Sequence, residues 1–320
     1  MFSFALDATS GRARAGRLGT PHGEVLTPAF MPVGTAGAVK ALTLRDVEDL
    51  GPQMLLANTY HLMLRPGDRV VAELGGLHGF TGWRGPFLTD SGGYQVLSLS
   101  ALRTLTDEGA TFKSHIDGTT HALTPERAVE VQMHLGADIV MPLDECPPAS
   151  APRGEVEAAA ERTLRWAERS LRALTRKDQW MFGIVQGGVD PELRIRHAEA
   201  LRALGFRGFA VGGLAVGEPA PVREAILGHL DPVLPREGPR YLMGVGTPED
   251  IFGAVDAGID LFDCVLPTRN ARNGQLFTSR GRLSIRNARH RTDPPPPPPP
   301  WPGETRPPPR PPQHPPHPHA

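Results

Sequence analysis

The sequence predicts an α/β protein, a closed (βα)8 barrel of the TIM type, on three observations. Eight short apolar runs recur along the chain, each stopping at a polar or glycine-rich turn. Segments with helical spacing fill the intervals, and four of them are led by proline, at Pro125, Pro191, Pro221 and Pro248. The globular part, residues 1–293 of 320, is close to the roughly 250 residues that such a barrel takes. Runs that are apolar throughout, rather than alternating, fit parallel strands covered on both faces. A doubly wound open sheet would share that pattern, but no GxGxxG opens a first helix.

In chain order the runs are 29–33 before GTAG, 54–57 before NTYH, 86–89 before DSGG and 139–143 before DECP. They continue with 181–185 before QGG, 208–211 before GGLAVGE, 240–243 before GVGTPED, and 261–262 before DCVLPTR. Between them, Thr43 caps a helix to Leu50 with Gly51 past its end, and Thr124-Pro125 opens a helix that Gly136 closes. Residues 155–174 carry i, i+4 charge pairs such as Glu161 and Arg165, and 191–204, 221–230 and 248–257 follow the proline-led scheme. One interval is too long for a plain crossover. Asp117-Gly118 between the β-rich arms of residues 110–123 predicts an inserted hairpin after the third strand, at the barrel mouth.

Composition bounds the function. With 34 basic and 35 acidic side chains the net charge is -1, so a nucleic-acid partner has to be met by a local patch. No apolar run approaches the ~18 residues of a membrane helix, and residues 1–10 lack the basic flank and apolar stretch of a secretory signal. Cys146 and Cys264 are the only cysteines, too few for a disulfide scaffold or a four-thiolate zinc site, so the cytoplasm is the expected compartment. From residue 294 the chain turns to proline, 16 in 27 residues, which predicts a disordered or polyproline tail beyond a catalytic domain of residues 1–293.

Catalytic side chains of a barrel sit where strands end. On this strand map Asp90, Asp144, Gln186, Gly213, Met243 and Asp263 hold those places. Carboxylates gathered on one face repel each other and resist desolvation, a cost that a catalytic pocket explains. His61 is the only histidine near a predicted strand end, which gives little support to metal hydrolysis, and Ser91 has no nucleophile elbow. A pair of aspartates, one nucleophile and one general acid/base at a glycosidic carbon, fits the inventory best. An exposed aspartate has a pKa of about 3.9 and is ionised at neutral pH, as a nucleophile must be. After Cys264 seven arginines (269, 272, 280, 282, 286, 289, 291) run to Thr292 without an acidic residue. They are expected to border the same pocket and to hold a nucleic-acid backbone.

TDSGGYQ (89–95), DECP (144–147), VQGG (185–188), VGGLAVGE (211–218), MGVGTPED (243–250) and FDCVLPTRNARNG (262–274) together resemble tRNA-guanine transglycosylase. NTYHL (58–62) and PVGTAG (32–37) match as well, and the likeness runs in order from Phe2 to about Asp293. The resemblance implies an enzyme of queuosine biosynthesis. It would replace guanine at anticodon wobble position 34 with a 7-deazaguanine, in tRNAs with a GUN anticodon (aspartate, asparagine, histidine and tyrosine acceptors). It implies Asp263 as nucleophile on ribose C1′ and Asp90 as general acid/base. Asp144, Gln186 and the Gly213 amide would read the base edge, the Leu214 carbonyl would meet its aminomethyl group, and Tyr94 and Met243 would sandwich the ring. Arg269 and Arg272 resemble positions near the anticodon-loop phosphates, and Arg286 and Arg289 are taken as further RNA contacts. Cys146 and Val216 look like the bacterial form, which uses 7-aminomethyl-7-deazaguanine (preQ1).

The departure is at the C-terminus. The family continues into a zinc subdomain with Cys-x-Cys-x-x-Cys…His ligands and forms a homodimer, whereas this chain has no cysteine after Cys264. No metal ligand set is therefore expected, and His314, His317 and His319 lie in a proline tract. Three alternatives stay open on sequence alone: a catalytically impaired RNA-binding paralogue, a truncated product lacking the zinc subdomain, and a glycoside or nucleoside hydrolase on the same barrel.

Overall fold

The computed structural model describes residues 2–99, 103–215 and 217–292. Val216, Asp293 and the expected tail of residues 294–320 lie outside the described residues. The described residues divide into two units, one ending at Asn273 and the other beginning at Gly274.

The first unit opens with a feature the apolar-run pattern does not reveal. Strands β1 (Ser3–Ser10), β2 (Ala13–Thr20) and β3 (Gly23–Thr27) form an antiparallel meander. The inward positions of β2 are Arg14, Gly16, Leu18 and Thr20, mostly not apolar, so no hydrophobic run marks it. Gly16 is required: a Cβ there would lie 2.5 Å from the Ala5 carbonyl oxygen across the pair.

The barrel follows. β4 (Ala29–Gly34), α1 (Leu44–Leu50) and β5 (Leu55–Ala57) lead to α2 (Thr59–Leu64), α3 (Asp68–Glu73), α4 (Gly76–Thr81), β6 (Phe87–Thr89) and α5 (Gly93–Leu99). The expected insertion after the third barrel strand is present, as three antiparallel strands, β7 (Arg103–Thr106), β8 (Gly109–Lys113) and β9 (Thr120–Leu123). Asp117-Gly118 lies in the turn between β8 and β9, where Asp117 accepts from Thr119 N at 3.1 Å. Next come α6 (Pro125–Leu135), β10 (Ile139–Val140), α7 (Arg153–Ala173), β11 (Trp180–Val185), α8 (Pro191–Ala203), β12 (Gly208–Val211) and α9 (Ala220–Leu230). β13 (Arg240–Leu242), α10 (Pro248–Asp256), β14 (Leu261–Cys264) and α11 (Leu266–Arg272) complete it.

Strands β4, β5, β6, β10, β11, β12, β13 and β14 close into a barrel in that order, with β14 pairing back onto β4 in parallel. The predicted caps form. Thr43 and Asp46 make a capping box on α1, and Thr124 accepts from Arg127 N on α6. Gly51 and Gly136 end these helices in the left-handed region, φ 68° and 69°. Strand side chains alternate between two cores. Met31, Leu56, Leu88, Ile139, Phe182, Ile184 and Leu261 fill the barrel, while Leu55, Phe87, Val140, Val185, Phe209 and Leu242 face the helices. Among the described residues no helix is long and apolar enough to cross a membrane. The second unit contains an antiparallel pair, β15 (Gln275–Thr278) and β16 (Gly281–Ser284), then a short 3-10 turn at Ala288–His290.

Leu18 and Val25 of the meander join the inner barrel core, so this sheet covers the end where the strands begin. A buried ion pair fixes it there. Arg14 donates through Nε and Nη2 to the two oxygens of Asp260 at 3.0 and 2.9 Å, and through Nη2 to the Gly238 carbonyl at 2.8 Å. Arg14→Met leaves the Asp260 carboxylate buried with the Arg240 main-chain N–H as its remaining partner. Removing one member of a buried pair costs about 3 kcal/mol or more. The urea midpoint of Arg14→Met is expected to fall correspondingly, with an unchanged slope.

Candidate active site

The opposite end of the barrel, where the strands stop, holds a cavity of about 450 Å³. Its walls include Asn58, Asp90, Ser91, Tyr94, Gln95, Asp144, Cys146, Gln186, Gly213, Tyr241, Met243, Asp263 and Arg269. The two aspartates that the sequence separates by more than half the chain therefore face one space.

Asp90 follows β6 and is buried. Asn58 is the N-cap of α2: its Oδ1 accepts from His61 N at 3.1 Å, which turns its Nδ2 toward Asp90 Oδ2 at 2.5 Å. Thr59 N donates to the other carboxyl oxygen at 2.8 Å. Burial pushes the Asp90 pKa up to about 7, helped by the nearby charges of Asp263 and Asp144 and opposed by the Thr59 N–H and Gln95. The group is thus poised to give or take a proton near neutral pH.

Asp263, in β14, differs from the freely exposed carboxylate expected of it. It is half-buried, and burial raises its pKa, while two donors oppose the shift. The Tyr241 hydroxyl donates to Oδ1 at 2.6 Å and Gly244 N donates to the same oxygen at 2.7 Å. Both bonds fall on the same oxygen, Oδ1. Donors of this kind favour the carboxylate and fix its direction.

A third carboxyl, Asp144, lies at the polar end. Ser91 Oγ donates to its Oδ1 at 2.7 Å and Gln186 Nε2 to its Oδ2 at 2.8 Å. Burial raises this pKa as well. Gly213, at φ 65°, closes against Gln186: a Cβ there would lie 2.8 Å from Gln186 Oε1. Beside them Cys146 is half-buried, and burial together with the Asp144 charge pushes its thiol up to about 12, so it stays a neutral thiol. Tyr94, 48% exposed, and Met243 complete an apolar pair of walls.

Of the remaining sequence candidates only Arg269 lines the cavity. The Leu214 side chain is fully buried and does not line the cavity. Arg269 lines it, and Arg272, on the same helix α11, reaches the Lys40 carbonyl at 3.3 Å. Arg286 and Arg289 belong to the second unit and are exposed there. Asn58, Thr59, Gln95 and Tyr241 had not been singled out by sequence. The first three lie inside quoted motifs, whereas Tyr241 reads as an ordinary strand residue.

Among the described residues, ligand atoms of His22, His78 and Asp138 lie within 4.8 Å of one another, beside the start of β10 and away from this cavity. The two imidazoles are stacked, centroids 3.5 Å apart and planes 16° off parallel, and His78 Nε2 bonds the Gly85 carbonyl at 3.0 Å. Stacked rings send their in-plane lone pairs side by side rather than to one point, so hydrogen bonding to Asp138 accounts for the group.

A buried carboxyl with a pKa pushed up to about 7, a carboxylate held by two donors and a polar edge meet at the strand ends of a closed barrel, the place where barrel enzymes carry their sites. Comparison with known proteins narrows this. The family model described as queuine tRNA-ribosyltransferase matches residues 7–298. A queuine tRNA-ribosyltransferase of Thermus thermophilus is 57% identical over 292 residues, covering 91% of this chain and 76% of the relative. One of Agrobacterium fabrum is 58% identical over 296 residues (91% and 78%), and one of Desulforamulus reducens 55% over 282 (88% and 76%). The chain belongs to the queuine tRNA-ribosyltransferase family.

The Asp90 shift has a consequence for stability. In the unfolded chain an aspartate releases its proton near 3.9, whereas folded Asp90 holds its proton to about 7. Between these values the native state binds more protons than the unfolded one, so this group lowers stability as pH rises. Asp90→Asn does not titrate. Its stability relative to wild type is expected to rise by about 2–4 kcal/mol from pH 4 to pH 8, read from paired denaturation curves. A difference that is flat with pH would contradict the assignment.

Proposed function

We propose that this protein exchanges the guanine at wobble position 34 of GUN-anticodon tRNAs for preQ1, through a covalent Asp263–ribose intermediate, in queuosine biosynthesis. The observation that carries the reading is the meeting of Asp90 and Asp263 in one cavity, with only the second held by two donors on a single oxygen. A base stacked in an anticodon loop is out of reach of such a cavity and has to be flipped into it.

In the first half-reaction Asp263 Oδ2 attacks C1′ and the C1′–N9 bond breaks. Protonated Asp90 gives its proton to the departing guanine, which leaves neutral, and Asp90 is left as carboxylate. In the second, Asp90 takes the N9 proton of preQ1, N9 attacks C1′, and the ester bond to Asp263 breaks. Both aspartates end as they began. A pKa of about 7 suits a group that must be acid in one half and base in the other. Asp144, Gln186 and the Gly213 amide offer acceptors and donors to the purine edge, the Leu214 carbonyl would take the aminomethyl group, and Tyr94 and Met243 stand where a ring would be sandwiched. Arg269, at the rim, is suited to a phosphate. Residues 265–320 offer no thiolate to the zinc of the family.

Labelled guanine should enter tRNA in the presence of the wild-type protein, and preQ1 should compete with it. Asp263→Asn is expected to lose exchange by at least about a thousandfold and to yield no denaturant-resistant RNA–protein adduct. Asp90→Asn should also lose exchange. Persistence of the adduct in Asp263→Asn would move the nucleophile elsewhere, and release of free guanine without incorporation would indicate a hydrolase.

A further inference from the structure

The polar end of the cavity is gripped from behind by α8. This helix starts on Asp190, whose side chain accepts from Leu193 N, and it buries Arg194 and His197 one turn apart. Neither lines the cavity. Arg194 is fully buried, and its donors go to main-chain carbonyls: Nη1 to Val185 at 2.6 Å, Nε to Gly188 at 2.8 Å and Nη2 to Gly213 at 3.4 Å. Val185 and Gly188 bracket Gln186-Gly187, and Gly213, with Gly212 before it, packs on the Gln186 amide. His197 secures the remaining group: Gln186 N donates to its Nδ1 at 3.3 Å, and its Nε2 donates to the Ala160 carbonyl at 3.0 Å.

The turn these side chains grip is not one a chain adopts readily. Gly187 and Gly188 both have positive φ, 136° and 57°, and a Cβ on Gly187 would lie 2.9 Å from Arg194 N. A guanidinium is also an expensive filler for a seam between helix and barrel, where an aliphatic side chain would pack without desolvating a charge. Its fork, however, can tie three carbonyls, one at the end of β11 and one in each of the loops after β11 and β12, in a fixed relation, which an aliphatic side chain cannot do. Burial and the neighbouring Arg194 charge hold His197 down to about 4, so its Nδ1 remains an acceptor at neutral pH.

The geometry points to Arg194, assisted by His197, as a positioning residue for base recognition: it sets the spacing between the Gln186 amide and the Gly213 main chain without touching the base. This rests on the reading of Gln186 and Gly213 as base contacts. Disturbing the clamp should therefore weaken the hold on the free base and leave the hold on tRNA phosphates and the Asp263 chemistry largely alone.

Arg194→Met, which fills the seam without donors, and Arg194→Lys, which keeps the charge but not the fork, separate positioning from packing. Guanine affinity is measured by calorimetry, with guanine and tRNA KM values from exchange and thermal midpoints alongside. Arg194→Met should raise both guanine Kd and guanine KM by about tenfold or more, with tRNA KM within about twofold. Arg194→Lys should fall between it and wild type. His197→Phe, which leaves Gln186 N without its acceptor, should shift guanine Kd in the same direction, and it carries the test with Arg194→Lys if Arg194→Met does not fold. Guanine Kd within about twofold of wild type in the folded variants, whatever their melting points, overturns the inference. If wild type binds guanine but incorporates none into tRNA, the proposed exchange fails while the Kd comparison still judges Arg194. If wild type binds no guanine, there is no base site to position and both fail.

Discussion

Three carboxyl groups share one cavity largely withdrawn from water, and the rest of the site is arranged around that cost. Desolvation pushes Asp90, Asp144 and Asp263 in the same direction, toward the neutral acid. What separates them is the donors each receives. Asp263 has a phenol and a backbone N–H on one oxygen, Asp144 a hydroxyl and an amide, and Asp90 an amide, a backbone N–H and the disfavour of its two charged neighbours. The same residue type is thereby held in three different hydrogen-bonding environments within one cavity.

The barrel makes that division possible because each donor comes from a different, rigid element. Tyr241 stands one strand from Asp263, in β13 beside β14, where the parallel register fixes their separation. Asn58 is aimed by its own capping bond, so the start of α2 selects which end of the amide meets Asp90. α8 fixes the turn that carries Gln186. At the far end, the meander and the Arg14–Asp260 pair close the strand bottoms, which frees the strand tops to be polar.

Much of this was legible in the sequence, and the physical reason is visible element by element. The eight barrel strands are buried on both faces, so each appears as an apolar run, and the proline-led helices begin at or beside their prolines because a fixed φ and a missing N–H suit a first turn. Asp90, Asp144, Gln186 and Asp263 stood out because they interrupt apolar runs at strand ends. The meander did not, since β2 turns Arg14, Gly16 and Thr20 inward and buries them by ion pairing, close backbone approach and hydrogen bonding rather than by hydrophobicity. Tyr241 was hidden for the converse reason: it is a strand residue in the barrel core whose hydroxyl alone reaches the site. Arg194 and His197 are polar residues of a helix, a type that gives no apolar signal, and only their placement shows that they face inward.

The central claim is that burial brings the proton exchange of Asp90 close to neutral pH. Carboxyl carbon NMR of the aspartate-labelled protein, with Asp90→Asn to assign the resonance, reads this directly. The account predicts a titration midpoint close to 7 for Asp90 in the free protein. A midpoint near 4, the value of a solvated aspartate, would contradict it.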